Sequence, residues 1–96
     1  MKIEEKLKRL KELKTEIKKN YSIKEIGVFG SYIRKKEKPE SDLDILVEFS
    51  KPIDIFKFME LERFLSEELN IKVDLVSKKA LKPFIGREIL KEVVYV

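Results

Sequence analysis

The sequence contains no cysteine, no histidine, no tryptophan and no glutamine. Without cysteine there are no disulfides, thiolate metal sites or cysteine nucleophiles. Without histidine there is no Ser-His-Asp triad and no imidazole ligand. Chemistry is left to carboxylates, hydroxyls, Lys, Arg and backbone groups. Any metal site would be all-oxygen, which favours magnesium or manganese. No run approaches the ~20 apolar residues of a membrane-spanning helix. The start of the chain is rich in Lys and Glu and lacks the apolar core of a signal peptide. These features predict a soluble, cytoplasmic protein.

What is present supports one compact domain. The chain has 96 residues, 43% hydrophobic and 42% charged, enough for a single core and too apolar for wholesale disorder. We expect one domain over residues 1–96. The net charge of +4 resides in residues 1–20, which hold eight basic and four acidic side chains; the remainder is balanced. Paired Lys and Glu on a helix form a solvated face, so this segment does not predict a nucleic-acid partner. Among the acids, fourteen are Glu and only four are Asp: Asp42, Asp44, Asp54 and Asp74. Against that background each Asp suggests a specific role.

Hydrophobic spacing predicts a helix over 2–19, with Ile3, Leu7, Leu10, Leu13 and Ile17 on one stripe and Asn20 as its stop. Strands are expected at 23–29, 43–49 and 71–76. Residues 31–36 suit a short helix with Ser31 near its start, followed by a loop over 37–42. A helix is expected over 54–69, capped by Asp54 and ended by a left-handed Asn70. Ile55, Phe58, Met59, Leu61, Phe64, Leu65 and Leu69 would form its buried side. Residues 84–92 read as a helix burying Ile85, Ile89 and Leu90. The closing Val-Val-Tyr-Val either extends that helix or adds an edge strand. The alternation of helices and strands predicts a two-layer α/β domain.

Asp42 and Asp44 flank Leu43, so the strand's period of two puts both on one face. Leu43, Ile45 and Val47 then point into the helical layer. Asp74 lies within the third strand. If the two strands are neighbours, three carboxylates share a patch. Two carboxylates ~4 Å apart repel by roughly 4 kcal/mol at an effective dielectric near 20. Divalent cations compensate such repulsion. Gly30-Ser31 follows the first strand, where free N–H groups and a hydroxyl suit phosphate oxygens. Arg34 lies one turn on and can pair with the same anion. Taken singly, each piece also fits an ordinary capped turn or a solvent-facing strand position. Lys78 and Lys79 suit a solvated helix start, and Tyr32 suits packing as well as base stacking.

In combination, Gly30-Ser31, Ser41-Asp42-Leu43-Asp44-Ile45-Leu46-Val47 and Val73-Asp74-Leu75-Val76 resemble the minimal nucleotidyltransferases of the DNA polymerase beta superfamily. The resemblance extends from the leading helix to the closing Ile-Leu-Lys-Glu-Val-Val-Tyr-Val. Many relatives follow Gly-Ser with Arg-Ala-Arg-Gly; here the residues are Tyr32-Ile33-Arg34-Lys35, so Arg34 matches and Tyr32 and Lys35 depart. The resemblance implies a nucleotidyltransferase fold, with a small mixed sheet of three to four strands and helices on one face. It implies transfer of AMP from ATP, with Asp42, Asp44 and Asp74 as catalytic, metal-binding carboxylates for two Mg2+ ions. Gly30, Ser31 and Arg34 would hold the triphosphate. The acceptor it implies is a protein hydroxyl, a tyrosine of a partner HEPN ribonuclease toxin, which makes the chain an antitoxin. Two alternatives stay open: a catalytically silent nucleotide- or partner-binding module, and transfer to a small molecule or nucleic acid.

Overall fold

The computed structural model describes residues 3–96. Helix α1 (Ile3–Tyr21) leads into strand β1 (Ile23–Phe29), and β2 (Leu43–Phe49) follows a long connection. Helix α2 (Ile55–Leu69), strand β3 (Val73–Ser77), a single 3-10 turn (Lys78–Ala80), α3 (Pro83–Glu92) and β4 (Val94–Tyr95) complete the chain. Lys2, the first residue of the expected leading helix, lies outside the described residues.

The four strands form one mixed sheet in the order β3-β2-β1-β4. β1 pairs antiparallel with both β2 and β4, whereas β2 and β3 run parallel. Ile23, Ile26, Val28, Leu43, Ile45, Val47, Val73 and Leu75 form the sheet's share of the main core. Leu10 and Ile17 of α1 and Leu61, Leu65 and Leu69 of α2 supply the helical share. Burying each such aliphatic side chain contributes about 1.5–3 kcal/mol. Tyr32 is buried in the same core, which settles its role as packing.

The helix ends show why the elements stop where they do. The Asp54 side chain accepts the Lys57 N–H at 2.9 Å, and Asn70 adopts φ 52°, as expected of both. Asn20 does not stop α1. The helix continues to Tyr21, whose hydroxyl donates to Glu60 at 2.9 Å and whose ring lies 6.5 Å from Phe64. The left-handed residue is Ser22, at φ 55°.

Three further expectations are corrected. Of residues 31–36, 31–35 are turns and Lys36 is irregular rather than helical, because Lys35 turns left-handed at φ 58° after a single turn. Ile55 and Met59 are exposed, since the buried stripe of α2 runs along Leu61, Leu65 and Leu69 and they lie round the helix from it. On α3, Ile85 and Leu90 are exposed and Ile89 is half-buried. Helices α1 and α2 supply the helical share of the core; α3 buries only Gly86, which lies against Leu81. Of the two alternatives for the closing residues, Val94–Tyr95 form the edge strand.

The other edge strand, β3, is held by side chains of α2. The Val73 N–H donates to Ser66 Oγ at 3.0 Å, and the Leu75 N–H donates to Glu62 Oε2 at 2.8 Å. Both outward-facing donors are thereby satisfied, which blunts the edge. It also fixes the height of Asp74, which lies between them.

Candidate active site

The parallel ladder places Asp44 directly opposite Asp74, one residue beyond the Leu43–Val73 pair. Asp42 stands one residue before β2, close enough that its charge, like that of Asp74, acts on Asp44. On Asp44's other side stands Phe29, the last residue of β1. The next chain position is Gly30.

The cost of this arrangement falls on Asp44. Its carboxyl is pushed up from 3.8 to about 6, first by burial and then by the charges of Asp74 and Asp42. Arg34 opposes the shift and Glu92 adds to it. Asp44 accepts no hydrogen bond among the described residues. Asp42 faces the Lys72 ammonium at 3.9 Å, a pair too exposed to hold it firmly. Asp74 is exposed.

Gly30 is required where it stands. Its φ is +85°, and a Cβ there would overlap the Asp44 carboxylate, only 2.9 Å from Cγ. The turn that follows is closed by the Ile33 and Arg34 N–H groups, both donating to Gly30 O at 3.0 Å. Among the described residues, the Ser31 N–H and hydroxyl have no partner. The Gly30 N–H is occupied: it donates to Glu92 Oε1 at 3.1 Å. Arg34 Nη1 donates to the same carboxylate, at 3.0 Å to Oε1 and 3.1 Å to Oε2.

Asp42, Asp44 and Asp74 therefore lie near one another beside the Gly30-Ser31 turn. Gly30 contributes by lacking a side chain, and its N–H is not a free donor. Among the described residues no three acidic side chains are gathered into a ready ligand cage. The donor set nevertheless suits a hard cation, with oxygen ligands and an excess of negative charge marked by Asp44. A cavity of about 890 Å³ lies at the far end of β2 and β3. It is lined by Phe49, Ile53, Phe58 and Lys78 and touches none of the three carboxylates, so the chemistry marks the site and the cavity does not.

The sequence does not single out Glu92 or Lys72. Lys72 carries no local signal, being one lysine among eighteen. Glu92 belongs to the closing segment already noted, but its partners lie 58 and 62 residues away. Only the pairing of β4 with β1 brings them together.

A mixed sheet that sets paired Asp residues beside a Gly-Ser turn defines a nucleotidyltransferase. The nucleotidyltransferase domain family matches residues 10–96. The chain is 48% identical over 83 residues to protein adenylyltransferase MntA of Thermococcus cleftensis, covering 86% of this chain and 84% of the relative. It superimposes on a solved structure assigned to the minimal nucleotidyltransferases with a TM-score of 0.82 and 29% identity, covering 98% of this chain and 95% of that one. The same fold occurs in a complex of tri-AMPylated Shewanella oneidensis HEPN toxin with MNT antitoxin, at a TM-score of 0.70 and 21% identity, covering 94% of this chain and 70% of that one. The chain belongs to the minimal nucleotidyltransferases, of the MntA type.

Proposed function

We propose that this single domain transfers AMP from ATP to a tyrosine hydroxyl of a HEPN-type toxin and thereby acts as its antitoxin in the cytoplasm. The observation that carries the reading is the register of β2 and β3, which sets Asp74 opposite Asp44 beside the Gly30-Ser31 turn. The MntA relative is a protein adenylyltransferase, and the Shewanella oneidensis toxin is AMPylated; both support AMP as the group moved.

Asp42, Asp44 and Asp74 would hold two magnesium ions. When bound, magnesium favours the ionised acceptor hydroxyl and neutralises charge on the departing pyrophosphate. Ser31 offers its N–H and hydroxyl to the phosphate tail, and Arg34 offers its guanidinium. The acceptor oxygen forms a bond to the α-phosphorus as the bond from that phosphorus to the bridging oxygen breaks. Pyrophosphate leaves. Asp74, exposed on β3, would take the hydroxyl proton.

The test is intact mass spectrometry of a purified HEPN-type partner incubated with this protein and Mg-ATP. The partner gains one or more AMP masses, and Asp44→Asn abolishes the gain. A partner neutralised equally by Asp44→Asn, with no mass change in either case, refutes transfer and leaves a binding module.

A further inference from the structure

We infer that Glu92 is a positioning residue for the nucleotide site: its carboxylate clamps the Gly30 turn and Arg34 in the arrangement that receives the triphosphate. The inference rests on the nucleotide reading proposed above and extends it to a residue of the C-terminal segment.

The geometry shows a two-point clamp. One carboxylate oxygen takes both the Gly30 N–H, at 3.1 Å, and Arg34 Nη1, at 3.0 Å; the other takes Arg34 Nη1 at 3.1 Å. These groups bracket Ser31, whose N–H and hydroxyl are the donors left for an anion. Gly30 is in the left-handed region and its Cα lies against Asp44, so a small rotation of this turn would move phosphate donors and carboxylates together. An Arg side chain with several rotatable bonds is also held in one place before ligand arrives.

The clamp has its own support. Glu92 ends α3, and the next residues pair with β1 through Val94–Val28 and Tyr95–Gly27. The Val96 N–H donates to Ile26 O at 3.0 Å. Gly27 makes the approach possible: a Cβ there would stand 2.8 Å from both Val93 Cγ2 and Val94 O. The C-terminal strand thus carries Glu92 to the turn. Its carboxylate adds negative charge beside Asp44, an unfavourable placement for solubility or packing alone. The compensation is the pairing with Arg34 and the Gly30 N–H.

The experiment is calorimetric titration of Mg-ATP into wild type, Glu92→Ala and Glu92→Gln, at a temperature where circular dichroism shows all three folded. Charge-assisted hydrogen bonds to a partly buried group predict about tenfold weaker binding for Glu92→Ala. Glu92→Gln keeps an acceptor for the Gly30 N–H and is predicted to stay within about threefold of wild type. A purely structural role lowers the melting temperature and leaves the Kd of the folded protein unchanged. Unchanged affinity in Glu92→Ala overturns the inference, and tighter affinity does so as well by making Glu92 a competitor of the phosphates. Wild type that binds Mg-ATP but modifies no partner refutes the proposed transfer and leaves the clamp intact. Wild type that binds no Mg-ATP overturns both.

Discussion

Replacing Asp44 by Asn removes a half-buried charge held among other carboxylates and is predicted to stabilise the protein in the absence of metal and nucleotide. The carboxyl is raised from 3.8 to about 6 by burial and by Asp74 and Asp42. Each pKa unit corresponds to 1.36 kcal/mol, so the full shift corresponds to at most about 3 kcal/mol. The group is only half-buried, and solvent screening reduces this to about 1–1.5 kcal/mol. For a domain of this size, 1 kcal/mol moves Tm by about 4–8 °C. Asp44→Asn should therefore melt roughly 5–10 °C above wild type at pH 7.5 with EDTA present, followed by circular dichroism.

The sign of the pH dependence provides the check. The folded protein holds the Asp44 proton more tightly than the unfolded chain does. Wild type thus gains stability from this group as pH falls through about 6, and the gain is complete below about 3.8. The asparagine variant has no such titration. The gap between the two melting curves should be widest above pH 6 and narrow steadily towards pH 4. A gap that stays constant over this range would show that charge repulsion is not its origin. A variant less stable than wild type at pH 7.5 would refute the reasoning outright and make Asp44 a structural residue.

Two left-handed positions in the same loop predict opposite responses. Gly30→Ala should lower stability by about 2 kcal/mol or more in urea unfolding, because positive φ is costly with a Cβ and that Cβ overlaps the Asp44 carboxylate. Lys35 bears a side chain at φ 58°, at the position where many relatives of this type carry glycine. Lys35→Gly should raise stability by about 0.5–1 kcal/mol in the same assay, the relief of strain exceeding the added freedom of the unfolded chain.

The parts of the site readable in the sequence are those set by local period. The spacing of Asp42 and Asp44 is one strand period, whatever their neighbours, although β2 itself begins at Leu43. Asp54 and Asn70 had to bound α2 because an N-cap oxygen and a left-handed Asn are local devices. That Asp74 stands opposite Asp44, and not beside some other residue of β2, depends on long-range pairing fixed by Ser66 and Glu62. Apolar spacing marked one side of α2 and α3 as buried, but spacing cannot say whether another element exists to cover it. Ile85 and Leu90 are exposed for that reason, whereas Ile55 and Met59 lie round α2 from its buried stripe. The turn after Gly30 has a helix-like sequence because Ser31 suits an N-cap, and nothing local announces a left-handed lysine at position 35.

Glu92 shows where a reading based on local pattern must fail. Its charge is unremarkable in a chain with fourteen Glu, and its neighbours in sequence describe only a helix end and a short strand. Its role exists only because β4 runs antiparallel to β1 and passes close over Gly27. The strand order β3-β2-β1-β4 then explains the site's composition: β2 and β3 contribute carboxylates, the end of β1 leads into the Gly30-Ser31 turn, and β4 brings Glu92 to that turn. All four strands are therefore needed to assemble the site, and a truncation removing only the last five residues should disturb nucleotide binding while leaving the three Asp residues untouched.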